Sequence, residues 1–300
     1  MRHAVIDLGT NTFHLLIVDH TGPGEWNEVY RERIFVKLAE EGIHEISPAA
    51  FRRGLEAVEL FKTALDHFGI PPEQVRAFGT AALRTAANAP DFIRDVQRRT
   101  GIAARAIEGQ YEARLIYQGV RQAVPFPDSR VLVMDIGGGS VEFILADRSR
   151  VYWQQSFPIG VAVLYQKFHK SDPIAPEEVA AAVQFIDNAL TDCWATLAQQ
   201  PASALVGAAG AFDTIDNLLL DPATKPPLYG WIPAQHFLPL HDRIIGSTLA
   251  EREQMHQLSP ERREMIVVGM ILIRHILQRG RIEEIYTSVY SMKEGMLAEI

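Results

Sequence analysis

The stretch Val131-Leu-Val-Met-Asp-Ile-Gly-Gly-Gly-Ser-Val-Glu-Phe-Ile-Leu-Ala-Asp147 decides how the rest of the chain is read. Two short apolar, β-branched runs flank three glycines and Ser140, a pattern that predicts a β-hairpin. Gly137, Gly138 and Gly139 carry no Cβ, so their backbone N–H groups can approach a ligand and form an anion-binding nest. Asp135 leads into the turn and Glu142 leads out of it. Two carboxylates ~4 Å from a phosphate would cost roughly 4 kcal/mol each at an effective dielectric of 20. A divalent cation between them reverses that sign, so the pattern reads as a metal–phosphate site. A tight glycine hairpin carrying surface acids is the alternative that this stretch alone leaves open.

The start of the chain repeats the pattern. His3-Ala-Val-Ile-Asp-Leu-Gly-Thr-Asn-Thr-Phe-His-Leu-Leu-Ile-Val-Asp19 aligns with residues 131–147 at a constant offset of 128, without a gap. Asp7 falls on Asp135, Gly9 on Gly137, Thr12 on Ser140 and Asp19 on Asp147. A repeat at half-chain distance indicates two related lobes. Two phosphate-type hairpins, one per lobe, are expected to face each other across a cleft.

Composition bounds the function. Three hundred residues suffice for two domains, each with its own core. Apolar content of 47% and charged content of 22% are those of an ordinary globular protein. A net charge of −8 argues against a nucleic-acid surface and requires local cations wherever a polyanion binds. The one cysteine, Cys193, reads as a packed thiol, which points to a cytosolic protein. Residues 265–273 are the longest apolar run, far short of a membrane span, and Asp7 comes too early for a signal peptide.

In the first lobe, Gly22-Pro-Gly24 predicts a turn after the opening hairpin, with strands through Tyr30 and Val36. Lys37 is either a surface lysine or a cation swung toward the cleft. Ser47-Pro48 opens a helix with Phe51, Leu55, Val58, Phe61, Leu65 and Phe68 on one face. A strand through residues 75–79 runs into Thr80-Ala-Ala-Leu-Arg84, whose guanidinium has the fork geometry that suits phosphate oxygens. Helix and strand follow to residue 107, and Glu112 sits in the first turn of the next amphipathic helix. Dipole stabilisation of ~0.3–1 kcal/mol accounts for a carboxylate there as well as catalysis does. Pro125-Phe-Pro-Asp128 marks the boundary, giving lobes over residues 1–124 and 125–300, with the last helix packing back on the first lobe.

Four motifs in order, Asp7-Leu-Gly-Thr-Asn-Thr12, Gly79-Thr-Ala-Ala-Leu-Arg84, Ile107-Glu-Gly-Gln-Tyr-Glu-Ala113 and Asp135-Ile-Gly-Gly-Gly-Ser-Val-Glu142, carry a resemblance. The chain resembles the exopolyphosphatase / guanosine pentaphosphate phosphohydrolase family. The resemblance implies an α/β fold of two duplicated lobes of the actin/hexokinase/acetate-kinase type, ribonuclease H-like, with an interlobe cleft. It implies a magnesium-dependent hydrolase that releases terminal phosphate from polyphosphate or guanosine pentaphosphate. Glu112 is then similar to the residue that positions or deprotonates the attacking water, and Asp135 and Glu142 resemble its catalytic carboxylates. Asp135, Glu142 and Asp7 are the expected Mg2+ ligands. Asn11, Thr12, Arg84, Gly137, Gly138, Gly139, Ser140 and Lys37 are the expected phosphate contacts.

The second lobe departs from the family pattern. Val163 stands where relatives carry arginine, Lys293 replaces another arginine, and the turn over residues 208–211 is alanine-rich. A single helix is expected over residues 176–199, a surface loop over 221–233, and an apolar helix over 265–277 capped by Ser259-Pro260. The apolar C-terminal helix raises the expectation of a homodimer. Two other readings share the paired turns: a kinase of the same fold that transfers phosphate to an acceptor, and a polyphosphate or nucleotide sensor without turnover.

Overall fold

The computed structural model describes residues 2–22, 25–208 and 210–300. The tip of the Gly22–Gly24 turn and Ala209 therefore lie outside the described residues. The first half contains β1 (Arg2–Leu8), β2 (Thr12–Gly22), β3 (Glu25–Phe35), α1 (Pro48–His67), β4 (Val75–Gly79), α2 (Ala81–Thr85), α3 (Ala89–Thr100), β5 (Ala104–Ala106) and α4 (Gly109–Ala123). The second half begins with β6 (Val131–Ile136), β7 (Val141–Ala146), β8 (Val151–Phe157), α5 (Val161–Phe168), α6 (Pro176–Ala189), α7 (Thr191–Gln199), β9 (Ala204–Ala208) and α8 (Gly210–Leu219). It continues with β10 (Tyr229–Pro233), α9 (Ala234–Ile245), α10 (Leu249–Glu253), α11 (Ile266–Gly280), β11 (Glu284–Ser288) and α12 (Met292–Leu297).

Two mixed sheets share one topology. The first runs β3-β2-β1-β4-β5 and the second β10-β11-β9-β6-β7-β8. In each, an antiparallel meander of three strands continues into two parallel strands on the other side of its first strand. The match extends to register: Asp7 pairs with His14 across β1–β2, and Asp135 with Glu142 across β6–β7. The fold is thus the duplicated, actin-type α/β arrangement, with β10 added at one edge.

Three apolar clusters hold it together. One lies between the first sheet and the helices α1 and α3, and another between the second sheet and α5–α11. The third joins Val5 and Leu16 of the first sheet to Val133 and Ile144 of the second through α4 and α12. The two lobes therefore share a buried layer. Gly119 of α4 and Gly295 of α12 make it possible: a Cβ on either would lie 1.9 or 1.8 Å from a carbonyl oxygen of the facing helix.

Local signals fix the helix ends. Ser47 accepts the Ala50 N–H at 3.3 Å and Pro48 starts α1, while Gly101 takes a φ of +75° to close α3. Elsewhere tertiary packing overrides pattern. The helix expected over residues 176–199 breaks at Leu190, so that Leu190 and Cys193 both enter the core. Burial pushes the Cys193 thiol up to about 12, as an inert packed group requires. The loop expected up to residue 233 ends as β10, an edge strand where Pro233 is tolerated. Ser259-Pro260 begins a 3-10 turn, and α11 starts only at Ile266. Most of α11 is buried inside its own lobe, so the apolar face behind the dimer expectation is already covered. Among the described residues, no helix is long and apolar enough to cross a membrane.

Candidate active site

The tips of the two duplicated hairpins meet. A Cβ on Gly138 would come within 2.8 Å of the Asn11 side chain, and one on Gly139 within 2.4 Å of Ile43 and 2.9 Å of Ala81. None of Gly137, Gly138 and Gly139 takes a left-handed φ. At Gly138 and Gly139 the lack of a side chain is thus required by the opposite lobe's approach rather than by backbone strain, whereas a Cβ on Gly137 would meet only the Ser140 carbonyl of its own turn, at 3.0 Å. Their carbonyl oxygens turn toward α5, accepting from Val161 N at 3.0 Å, Ala162 N at 2.9 Å and Gly160 N at 3.2 Å. In the opposing turn, Val36 and Lys37 donate to the Asn11 carbonyl at 2.8 and 3.0 Å, which fixes the first tip.

Between the tips and α4, α11 and α12 lies a cleft of about 490 Å³. Asp7, Glu112, Asp135 and Glu142 all line it. Residues facing each other across adjacent antiparallel strands project on the same side of the sheet, which is why Asp135 and Glu142 arrive together. Glu142 accepts from the Ser140 and Ser156 hydroxyls at 2.7 and 2.6 Å. The Ser291 hydroxyl donates to Asp135. Arg84 donates to Glu112 at 2.8 Å and to the Ile107 carbonyl at 2.9 Å. Asp7 Oδ1 is buried with no hydrogen-bond partner among the described residues.

Burial raises the pKa of all four acids. Asp7 is pushed up to about 7, with Lys293 opposing and Asp135 adding to the rise. Asp135 rises to about 6 and Glu142 to about 7, each against the hydroxyls that stabilise its charged form. Glu112 lies well above the ordinary carboxylate range, driven by burial and by Glu142, and held back by Arg84. His14, opposite Asp7, is kept neutral by burial and by nearby Lys293.

Asn11, Thr12, Gly137, Gly138, Gly139 and Ser140 also line the cleft. Two expected phosphate contacts do not. Lys37 stands at a φ of +46° and pairs with Glu264 of the second lobe at 2.8 Å, outside the lining. Arg84 is not in the lining either, because its guanidinium is engaged by Glu112 and Ile107 O. The cations that do line the cleft are Arg31, Arg33, Arg262 and Lys293. Three of them are paired: Arg31 with Glu294 at 3.1 Å, Arg33 with Glu261 at 2.5 Å and Arg262 with Asp213 at 2.8 Å. The alternation of Arg31 and Arg33 along β3 was a usable signal, and the offset of 128 leads from Glu142 to His14. Arg262 has no comparable mark in the sequence. Of the departures noted above, Lys293 and Ala211 line the cleft, and Val163 does not.

The model of the Ppx/GppA phosphatase family matches residues 17–300. The chain belongs to this family. A guanosine-5′-triphosphate,3′-diphosphate pyrophosphatase from Photobacterium profundum is 29% identical over 99% of the chain, which spans 59% of that protein's length. A Haemophilus influenzae protein that carries an exopolyphosphatase name is 28% identical, with 98% of this chain and 90% of that one covered. Among solved structures, an exopolyphosphatase from Cytophaga hutchinsonii superposes with a TM-score of 0.93 at 33% identity, covering 99% of this chain and 96% of its own. The Ppx-GppA enzyme of Aquifex aeolicus gives 0.81 at 25% identity, covering 100% and 99%. Ppx/GppA proteins are thus similar to this chain over nearly its whole length, and the family's names are those of phosphoanhydride-cleaving enzymes.

Proposed function

We propose that this chain hydrolyses the terminal phosphoanhydride of inorganic polyphosphate or guanosine pentaphosphate. The observation that carries the proposal is the convergence of Asp7, Glu112, Asp135 and Glu142 on one cleft, beside the two turn tips. Phosphoryl transfer needs positioning and charge neutralisation more than covalent chemistry, and a polar turn beside buried acids suits both. In this reading Glu112 takes a proton from water lined up on the terminal phosphorus. Its raised pKa makes it a stronger base than an exposed glutamate, and Arg84 keeps it oriented. Asn11, Thr12 and the backbone N–H groups of Gly138, Gly139 and Ser140 hold the phosphate oxygens, since the Gly137 N–H and the Ser140 hydroxyl already donate to the Ser140 carbonyl and to Glu142.

The donor set fits magnesium. It consists of carboxylate oxygens, and one of them, Asp7 Oδ1, is buried without a partner among the described residues. No three His, Cys, Asp or Glu among the described residues stand close enough to cage a metal. Magnesium does not need a cage, since it keeps water and is commonly held by one or two carboxylates plus substrate phosphate. Asp7 and Asp135, with Glu142 beside them, would hold it. When bound, it would neutralise charge on the phosphate oxygens. The test is phosphate release from tripolyphosphate and from guanosine pentaphosphate by Glu112→Gln. A loss of about 10²-fold or more in kcat, at unchanged melting temperature, is expected. Normal turnover by this variant would remove Glu112 as the base.

A further inference from the structure

Among the described residues Arg252 of α10, 1% exposed, is the largest side chain that is wholly buried. It does not line the cleft. Its guanidinium divides its nitrogens among three separate segments. Nε donates to the Arg263 carbonyl at 2.7 Å, Nη1 donates to the Ser247 carbonyl, and Nη2 lies 3.5 Å from Asp172. Asp172 in turn accepts from Leu249 N at 2.8 Å. An apolar side chain of similar volume would fill this space without the cost of desolvating a charge. What a guanidinium adds is direction, because its planar fork fixes the angle between the groups it bonds.

The segment that Arg252 fixes is the one that reaches the cleft. Between α10 and α11 the chain passes through the 3-10 turn Pro260–Arg262, where Arg262 N donates to the Ser259 carbonyl at 2.9 Å. Among the described residues no strand partner holds this turn. Glu261, Arg262 and Met265 nevertheless line the cleft. The carbonyl that Arg252 holds belongs to the residue immediately after Arg262, so the bond sets where the Arg262 backbone stands. The Arg262 side chain bonds Asp213 at 2.8 Å and Thr214 at 3.4 Å. A guanidinium has five N–H donors, so these two bonds leave others for an anion in the cleft.

We propose that Arg252 is a positioning residue: through the Arg263 carbonyl it holds Arg262 where that cation meets substrate phosphate. The inference rests on the hydrolase reading for the identity of the ligand. Arg262 touches the phosphate chain, and Arg252 acts only through it. Removing Arg252 should then cost affinity as removing Arg262 does, and removing both should cost no more than removing one.

The test measures tripolyphosphate binding by calorimetry, with magnesium present and well below the melting transition of each variant. The protein is the full chain carrying Glu112→Gln, which slows consumption of the ligand. Arg262→Ala is expected to weaken binding about tenfold, and Arg252→Met by about the same factor. The double variant should lie within about twofold of either single one. A role in stability alone lowers the melting temperature without this coupling. Unchanged affinity in either single variant, or losses that multiply to about a hundredfold in the double variant, overturns the proposal. Should the Arg252→Met chain fail to fold, Arg252→Lys, which keeps the charge but not the fork, is judged by the same criteria. Phosphate release by the chain without Glu112→Gln is read separately. Coupled losses of affinity without any hydrolysis would support the positioning role while sinking the hydrolase reading.

Discussion

The turn between β1 and β2 and the turn between β6 and β7 are two copies of one device, and they have diverged in what they supply. Both place an acid at the same register position, Asp7 in one and Asp135 in the other. Opposite that acid the first copy carries neutral His14 and the second carries Glu142. At the tip, Asn11 of the first copy corresponds to Gly139 of the second. The second turn is the finished one: hydroxyls of Ser140, Ser156 and Ser291 already hold its acids. The first leaves Asp7 Oδ1 without a partner among the described residues and reaches across with Asn11, which the bare backbone of Gly138 admits. A duplicated scaffold has thus become a site with one preorganised side and one unsatisfied side.

Exchanging the residues that differ should expose this asymmetry most strongly. Glu142→Gln removes a charge that two serines are placed to stabilise, and kcat for phosphate release is expected to fall about 10²-fold or more. His14→Gln, at the equivalent position, should cost less than about tenfold once melting temperatures are matched. Equal losses would mean that the two copies have equivalent chemical roles.

A smaller effect is expected in stability, and with the opposite sign. Asp7 has a folded-state pKa raised to about 7, so its ionisation opposes folding as pH rises from the ordinary carboxylate range through that value. Without divalent cation, Asp7→Asn should therefore stabilise the protein, by an amount on the order of a few kcal/mol above pH 7. The gain should shrink toward pH 4, and activity should be lost. Thermal unfolding at pH 8 and pH 5 measures it, and a variant less stable than the parent at pH 8 would contradict the picture of an unsatisfied acid.

The weakest effect belongs to Lys37. Its pair with Glu264 joins the lobes outside the cleft and is about a third exposed on each side. Lys37→Ala should change stability by no more than about 1 kcal/mol and leave phosphate release within about twofold. A large fall in activity would bring Lys37 back to the phosphate.

Much of this was legible in the chain before any coordinates. The offset of 128 predicted paired lobes, the apolar runs around residues 131–147 predicted the hairpin, and Glu112 was expected in the first turn of its helix. These features depend on residues close in sequence, where a period of two or of 3.6 leaves a visible mark. Arg84 shows the limit. Its position after a strand suggested a phosphate ligand, yet its guanidinium is taken up by Glu112 and the Ile107 carbonyl, 28 and 23 residues further on. Arg262 lines the cleft for a reason equally remote in sequence, since nothing local shows which loop borders it.

From the sequence alone came the duplicated halves, their hairpins and the acids that those hairpins carry. Tertiary structure decided which acids are satisfied and which cations remain near them. Ser291 reaches Asp135 across 156 positions, and Lys293 is buried near Asp7 at the far end of the chain. Hydrogen bonding and burial act through distances in space, and those distances are set only once α12 has packed back against α4 and the two sheets.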